Sequence, residues 1–161
     1  MGPERGRILV ELVRRVKPRR VLEVGALVGY STILIARELE SQAEIVSIEI
    51  DEDEVKTAKE NIRRAKLKPK IDVLVGDALG IIPNLGGKFD LVFLDAAKNE
   101  YLDYLRLLDG DLHKGSVIVA DNAGIFAKSM RRYLDYVRNS GKYESSFIPV
   151  DWDGIEVSIR L

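Results

Sequence analysis

The stretch VLEVGALVGYS at residues 21–31 joins a short apolar strand, VLEV (21–24), to the start of a helix through a glycine-containing turn. Such a turn presents backbone N–H groups and the positive end of the helix dipole to a negatively charged group. A dinucleotide fingerprint, G-x-G-x-x-G, would need glycines where this sequence has Leu27 and Tyr30. Because Leu27 would obstruct a pyrophosphate, the turn favours a ligand that lacks one.

Outward from this turn, strand-like and helix-like segments alternate along the chain. Four β-rich apolar runs are of the kind found in parallel sheets covered on both faces. They are EIVSIE (44–49), IDVLV (71–75), FDLVFL (89–94) and SVIVA (116–120). Helices are predicted over residues 8–16, 30–40, 52–66 and 125–139. Two last runs, at 143–150 and 155–161, flank an Asp-Gly step that predicts an antiparallel hairpin.

This alternation predicts one α/β domain over residues 1–161, built on an open sheet. Such sheets bind ligands beyond the carboxyl ends of their strands, near the point where the strand order reverses. We therefore expect the functional residues directly after the predicted strands.

The residues after the first three strands suit a nucleoside-type ligand. Glu49 lies where an acid would accept hydrogen bonds from ribose hydroxyls, and Gly25 and Ser31 lie in the turn that would hold a small carboxylate. Asp77 and Ala78 would border an adenine. S-adenosylmethionine, which has a ribose but no pyrophosphate, fits this pattern. The alternative is that the glycines only permit a tight turn and Glu49 is a surface acid.

The residues after the fourth and fifth strands suit a metal ion. Asp95 and the pair Asp121-Asn122 end strands that we expect to be neighbours, so three oxygen ligands would converge. Oxygen ligands without histidine or thiolate favour Mg²⁺. Taken separately, Asp95 could be a helix N-cap and Asp121-Asn122 a simple turn. Lys98, three residues after Asp95, favours the metal-site interpretation.

The composition of the 161-residue chain excludes several classes of protein. There is no cysteine, which removes thiol nucleophiles, thiolate metal sites and disulfides. No apolar run approaches the roughly 20 residues that cross a bilayer, and we expect a cytoplasmic protein without membrane contact. Residues 1–20 carry seven basic and two acidic side chains, although the net charge is −1. An exposed helix face explains this basic segment better than nucleic-acid binding does.

The motifs together resemble the catechol/caffeoyl-CoA type of S-adenosylmethionine-dependent O-methyltransferase. They are VLEVGALVGYS, VSIEID, VGDAL, FDLVFLDAAKNEYLDY, KGSVIVADN and the Asp-Gly hairpin, and they cover nearly the whole chain. The resemblance implies a Rossmann-like class I methyltransferase fold, with a seven-stranded sheet of order 3-2-1-4-5-7-6 and strand seven antiparallel. It adds Glu23 to the cofactor-binding candidates and gives Asp95 contacts with both the metal and the cofactor.

The same resemblance implies a mechanism. The metal would chelate two adjacent oxygens of the acceptor, a small vicinal diphenol-like molecule, and would make one hydroxyl more acidic. Asp95 and Lys98 are the catalytic candidates, with Lys98 in its neutral form as the general base. The resulting oxyanion would attack the sulfonium methyl of S-adenosylmethionine in line.

The sequence departs from the family at three places. The family usually has a few dozen residues before the helix that begins with PERGRIL (3–9), so we expect an open pocket, a lid from a partner or from a second subunit of a homodimer, or large substrates. Ala96 and Ala97 replace the His-Trp pair of the animal catechol enzymes, which predicts a wider slot. Phe147 lies about where those enzymes have an acid that orients the second hydroxyl.

Three alternative functions follow from the same residues. A tRNA hydroxyuridine O-methyltransferase would use the basic N-terminal segment to hold phosphates. A non-catalytic module that only binds S-adenosylmethionine would leave the intact set of Asp95, Lys98, Asp121 and Asn122 unexplained. A nicotinamide oxidoreductase is weakened by Leu27.

Some remaining residues are expected to have structural roles. His113, the single histidine, is predicted to lie on the surface in a turn. Trp152 is expected to cap an edge of the core rather than to stack on a substrate. Four tyrosines at helical spacing are predicted to pack in the core: Tyr101, Tyr104, Tyr133 and Tyr136.

Overall fold

Seven strands form one sheet in the computed structural model, which describes residues 1–161. The strands are β1 (Arg20–Val24), β2 (Glu44–Glu49), β3 (Lys70–Val75), β4 (Phe89–Leu94), β5 (Leu112–Asp121), β6 (Tyr143–Val150) and β7 (Asp153–Arg160). Their order is β3-β2-β1-β4-β5-β7-β6. Strands β1 to β5 are parallel, and β7 runs antiparallel to both β5 and β6. The predicted topology is confirmed.

Six helices cover the two faces of the sheet. They are α1 (Pro3–Val16), α2 (Tyr30–Arg37), α3 (Glu52–Ala65), α4 (Ala78–Ile81), α5 (Tyr101–Leu107) and α6 (Arg131–Asn139). Apolar residues of α1 and α2 pack on one face, and those of α5 and α6 pack on the other. None of the helices combines the length and the apolar composition needed to cross a membrane.

The central strands are apolar on both sides because each side meets a layer of helices. In β4, Leu91 and Phe93 join the cluster under α1 and α2, whereas Val92 and Leu94 join the cluster under α5 and α6. All four side chains are fully buried. The continuous apolar runs of the sequence are therefore explained by burial on two faces.

Helix α3 is capped by a side chain and has opposite charges at its two ends. Its N-cap residue, Asp51, accepts hydrogen bonds from the backbone N–H groups of Asp53 and Glu54 at 2.9 and 3.0 Å. Acidic residues fill its first turn and Arg63 and Arg64 its last, which complements the helix dipole.

The predicted helix over 125–139 is wrong over its first six residues. Residues 122–130 form turns, and α6 begins at Arg131. The backbone hydrogen bonds of this segment do not keep one helical spacing: Phe126 N–H donates to Asn122 O four residues back, whereas Ala127 N–H donates to Gly124 O three residues back. The segment also contacts a distant strand that local periodicity does not reveal, since the N–H groups of Gly124 and Ile125 donate to the side chain of Asp153, both at 3.0 Å.

Two expectations about single residues also need correction. His113 lies in β5 rather than in a turn, because β5 begins at Leu112, and its Nε2 lies 2.7 Å from Asp90 Oδ1. Trp152 does not cap the core, since it is 81% exposed at the tip of the β6–β7 hairpin. The packing role of Tyr101, Tyr104 and Tyr133 is confirmed by their burial.

Candidate active site

The carboxyl ends of four parallel strands meet at one edge of the sheet. Val24 of β1 is paired with Ile48 of β2 on one side and with Leu94 of β4 on the other. Leu94 is in turn paired with Ala120 of β5. The next residues of these strands include Gly25, Glu49, Asp95 and Asp121, so the sheet brings the predicted residues to one edge.

A cavity of about 280 Å³ opens at this edge. Five of the predicted cofactor-binding residues line it: Gly25, Glu49, Asp77, Ala78 and Asp95. Val24, Ile48 and Tyr104 supply part of its apolar wall. A concave, mostly apolar cavity with a few polar groups is the usual form of a small-molecule site. A larger cavity, of about 470 Å³, lies by the C-terminal end of α1 and contains none of the predicted site residues.

Two backbone N–H groups, from different parts of the chain, hold the Glu49 carboxylate in place. Its Oε2 accepts a hydrogen bond from Leu27 N–H at 2.8 Å, and its Oε1 accepts one from Asp51 N–H at 3.1 Å. The residue is 7% exposed. A carboxylate has about four acceptor sites, so each oxygen of Glu49 retains capacity for a ligand hydroxyl.

Gly25 is required by the protein's own backbone. It has a φ of +100°, and a Cβ at this position would lie 2.2 Å from the carbonyl oxygen of Asp95. Its N–H donates to Ile48 O at 2.8 Å and is not free for a ligand. Gly25 therefore allows the β1–α2 turn to lie against the end of β4, which brings the cavity wall and Asp95 together.

Glu23 and Ser31 form a buried cluster behind the cavity. The Glu23 carboxylate is fully buried and accepts hydrogen bonds from the hydroxyls of Ser31, Thr32 and Ser47. Burial raises the pKa of Glu23, although the three hydroxyls oppose the rise. These bonds fix the first turn of α2 to β1 and β2. Neither Glu23 nor Ser31 lines the cavity, so their direct contact with a cofactor stays a prediction.

Lys98 lies beside Asp95 in a chain of hydrogen bonds. Its Nζ donates to Asp95 Oδ1 at 2.9 Å and to the Tyr101 hydroxyl at 2.8 Å. The Tyr101 hydroxyl donates its own proton to Leu94 O at 3.0 Å, so its oxygen can accept from Lys98. The Lys98 and Asp95 side chains are 14% and 17% exposed. Their fixed positions are what a proton-transfer group requires.

Asp121 carries an oxygen without any donor. Its Oδ1 accepts from Asn122 N–H at 2.8 Å and from Arg5 Nη1 at 3.0 Å, but its buried Oδ2 has no hydrogen-bond partner. Burial raises the pKa of Asp121, and the nearby Asp95 carboxylate adds to the rise, while Arg5 opposes it. A buried, unpartnered carboxylate oxygen near a second carboxylate is unfavourable, and a bound cation would relieve it.

Two residues near Asp121 were not identified from the sequence. Arg5 was assigned to an exposed helix face, yet its side chain is 20% exposed and its Nη1 bridges Asp121 and Asp153. Asp153 was considered only as part of a turn. Its carboxylate accepts from Asn122 Nδ2 at 2.8 Å and from Arg5 Nη1 at 2.8 Å. No local pattern signals these contacts, because they join the two ends of the chain.

Comparison with known proteins identifies the family. The sequence model described as "O-methyltransferase" matches residues 1–138. Catechol O-methyltransferase of Mycobacterium tuberculosis is 39% identical over 175 residues, which cover 99% of this chain and 80% of that protein. The chain belongs to the S-adenosylmethionine-dependent O-methyltransferase family of the catechol/caffeoyl-CoA type. The predicted family is confirmed.

Further relatives agree with this O-methyltransferase assignment. Catechol O-methyltransferase B of Danio rerio is 36% identical over 174 residues, which cover 100% of this chain. This chain spans 65% of the length of that relative. The crystal structure of the O-methyltransferase from Bacillus cereus in complex with SAH has a TM-score of 0.92 and 26% identity, with 100% of this chain and 82% of that chain covered.

The predicted metal-binding set of this O-methyltransferase is small. No group of three or more His, Cys, Asp or Glu side chains that could hold a metal ion is present. The predicted set has only two carboxylates, from Asp95 and Asp121, and the amide oxygen of Asn122. The unpartnered Asp121 Oδ2 supplies an acceptor that no protein donor satisfies, which is the kind of oxygen ligand that a hard divalent cation uses.

Proposed function

We propose that this protein transfers a methyl group from S-adenosylmethionine to a hydroxyl of a small acceptor held at a divalent cation, of which Mg²⁺ suits the ligands best. The observation that carries the proposal is the double position of Asp95. It lines the cavity, and its carboxylate is close enough to the buried Asp121 carboxylate, whose Oδ2 lacks a donor, to raise the pKa of Asp121. Methyl donor and acceptor would therefore lie side by side, which is the main requirement of a direct transfer.

The cavity would hold the cofactor through two kinds of contact. Glu49, fixed by two backbone N–H groups, would accept hydrogen bonds from the ribose hydroxyls. Asp77 and Ala78 would border the adenine at the far wall. The Bacillus cereus neighbour was solved with SAH, which supports this assignment of the cavity. The cavity lining contains no lysine or arginine, which suits a ligand without phosphates.

Asp95, Asp121 and Asn122 would hold the cation. When bound, it would polarise the acceptor hydroxyl and orient it toward the methyl donor. Asp95 and Asp121 would balance its charge, and the Asn122 oxygen would add a neutral ligand.

Lys98 would remove the proton of the acceptor hydroxyl. A neutral lysine amine has two N–H groups and one lone pair, and both of its hydrogens have acceptors here, Asp95 Oδ1 and the Tyr101 hydroxyl. The lone pair is then left to take the proton. Because Tyr101 gives its own hydrogen to Leu94 O, it cannot donate to Lys98 and block the lone pair.

The acceptor we favour is a small molecule with two adjacent oxygens, such as a vicinal diphenol. Two relatives carry the name catechol O-methyltransferase, which supports this class. Ala96 and Ala97 leave room beside Asp95, since they follow it directly in the chain and both side chains are small. We therefore expect bulkier diphenols to be accepted along with catechol itself.

The first test combines binding with activity. Calorimetry should detect S-adenosylhomocysteine with a dissociation constant in the micromolar range, whereas NAD should not compete for the cavity. A methyl-transfer screen with vicinal diphenols should give product that EDTA abolishes and Mg²⁺ restores. A parallel arm with tRNA tests the nucleic-acid alternative. Full transfer in EDTA, after residual metal has been removed, would refute the role of the cation.

A further inference from the structure

We propose that Asp153 is a positioning residue that determines which atom of the Asn122 side chain faces the cation site. The inference rests on the proposed function, because it concerns the ligands of the same cation. It assigns a role to the hairpin residue that the sequence motifs left without one.

Asp153 is almost fully satisfied by hydrogen bonds. Its Oδ1 accepts from the backbone N–H groups of Gly124 and Ile125, both at 3.0 Å. Its Oδ2 accepts from Asn122 Nδ2 at 2.8 Å and from Arg5 Nη1 at 2.8 Å. The residue is 8% exposed, so water cannot easily replace these donors. Asp153 thus connects the first residue of β7 to the loop that follows β5 and to α1.

The chemistry of the two side chains fixes the orientation of the amide. An ionised carboxylate can only accept, so the edge of Asn122 that faces Asp153 must be its NH₂ group. The Oδ1 of Asn122 therefore points away from Asp153. An amide presented the other way would direct its NH₂ group, which a cation repels, toward the site.

Arg5 determines in a similar way which oxygen of the Asp121 carboxylate stays available to a ligand. Its Nη1 donates to Asp121 Oδ1 at 3.0 Å, while Oδ2 stays buried without a partner. Since the same Nη1 also donates to Asp153, one guanidinium links the two carboxylates. The result is that Asp121 and Asn122 each keep one oxygen for a ligand.

The loop after β5 is shaped for this contact. A Cβ on Gly124 would lie 2.8 Å from Asp153 Cα, so only glycine allows the loop to approach so closely. Asn122 itself has a φ of +64°, a left-handed conformation that asparagine adopts more readily than most residues. The Asp153 carboxylate therefore holds the loop after β5 and the β6–β7 hairpin in a fixed relative position.

The test is the substitution Asp153→Asn. The new amide has one oxygen for two pairs of donors, the backbone N–H groups on one side and Asn122 Nδ2 with Arg5 Nη1 on the other. The backbone N–H groups cannot turn away, whereas the Arg5 side chain can, so we expect the oxygen to stay toward the backbone and the NH₂ group to replace Oδ2. Asn122 would then have to turn its oxygen toward residue 153 and its NH₂ group toward the cation site. We expect the affinity for Mn²⁺ alone, measured from the electron paramagnetic resonance signal of free Mn²⁺, to fall about 10- to 100-fold.

A matched control separates orientation from charge. Asp151→Asn removes the same charge two residues away in the hairpin, where the side chain is exposed. Its left-handed backbone, with φ of +52°, accepts asparagine without strain. We expect Mn²⁺ affinity within about twofold of wild type, because the charge of an exposed side chain is screened by solvent and salt. An equal loss in both variants would mean that charge, not orientation, is responsible.

A double variant that exchanges the side chains at positions 122 and 153 tests whether the affinity for Mn²⁺ can be restored. In the double variant Asn122→Asp with Asp153→Asn, the carboxylate at 122 can accept from the amide at 153 and still present an oxygen to the cation. Most of the Mn²⁺ affinity should return. The affinity for S-adenosylhomocysteine and the thermal unfolding midpoint, measured in parallel, identify a variant that is misfolded. If the single variant does not fold, the exchanged variant must fold and bind Mn²⁺ for the inference to stand.

The possible failures are distinct. Wild-type protein that binds no Mn²⁺ would overturn both the cation site and the role of Asp153. Wild-type protein that binds Mn²⁺, together with an Asp153→Asn variant that binds it equally well, would overturn this inference alone and leave the proposed function intact.

Discussion

The active-site edge has two halves that are organised in different ways. The cofactor half contains Gly25, Glu49, Asp77 and Ala78, and the cation half contains Asp95, Lys98, Asp121 and Asn122. In the cofactor half, backbone groups set the geometry: Glu49 is held by the N–H groups of Leu27 and Asp51, and Gly25 lies against a carbonyl of β4. In the cation half, charged side chains contact one another, as in the bridge from Arg5 to Asp121 and Asp153. One half uses neutral donors of fixed position, and the other balances opposite charges.

The two halves also differ in whether the protein alone provides hydrogen-bond donors for all their buried side-chain oxygens. The cofactor half leaves no buried side-chain oxygen without a partner, whereas the cation half leaves Asp121 Oδ2 without one. Burying an unsatisfied charged group costs several kcal/mol, so the second half gains most from a ligand. We therefore expect the cofactor half to be preformed and the cation half to be stabilised by its ion.

The largest effect should come from Lys98→Ala, which removes the proposed general base from the cation half. Loss of a general base commonly lowers kcat about 10²- to 10⁴-fold. Lys98→Arg should be nearly as poor, because a guanidinium stays protonated. Rates at saturating substrate across pH 6–10 measure this, with exposed Lys128→Ala as the control. A kcat for Lys98→Ala within about twofold of wild type would remove Lys98 from the mechanism.

A smaller effect should come from Glu49→Ala, which breaks the cofactor half alone. Loss of charge-assisted hydrogen bonds to the ribose should weaken S-adenosylhomocysteine binding by about 1–3 kcal/mol. Affinity for Mn²⁺ should not change, because Glu49 has no contact with the cation ligands. Calorimetry measures the first quantity, and Glu52→Ala, an exposed acid on α3, is the control. Equal losses of cofactor and Mn²⁺ affinity would show that the halves are not independent.

The smallest effect is expected for the pair His113 and Asp90, which belongs to neither half. This pair shows how much a partly exposed ion pair contributes to the stability of the protein. His113 contacts Asp90, and its side chain is 40% exposed. A hydrogen bond to the Lys114 carbonyl and the contact with Asp90 raise the pKa of His113 above 6.5. The pKa of Asp90 is lowered from 3.8, since hydrogen bonds from His113 and from backbone N–H groups outweigh its burial.

The signs of these shifts define a pH window. Stabilisation by charged His113 is full below pH 6.5 and is lost as pH rises through its raised pKa. Stabilisation by Asp90 is present above pH 3.8 and is lost as pH falls through its lowered pKa. His113→Gln should therefore lower the free energy of unfolding by less than about 1 kcal/mol near pH 5.5, and by less still near pH 8.5. Urea unfolding at both values checks it, and a larger loss at the higher pH would contradict the assignment.

Sequence reasoning works where a residue's environment is set by its own segment. The apolar runs predict the strands, and the rule that ligands bind at carboxyl ends predicts the edge where Glu49, Asp95 and Asp121 meet. Sequence reasoning fails where a residue far along the chain contacts the segment. Residues 122–130 form turns that contact Asp153 of a distant strand, and the Arg5 side chain is mostly buried by ion pairs with carboxylates that no helical pattern reveals.

The same long-range contacts set the order in which this active site can form. Arg5 and Asp153 are 148 positions apart, so their bridge needs nearly the whole chain to have been synthesised. The partners that fix Glu49, in contrast, lie within 22 residues of it. On a ribosome, where the chain emerges from the N-terminus over many seconds, every residue that lines the nucleoside pocket is synthesised before the last hairpin, whose Asp153 contacts the chelating side chain of Asn122.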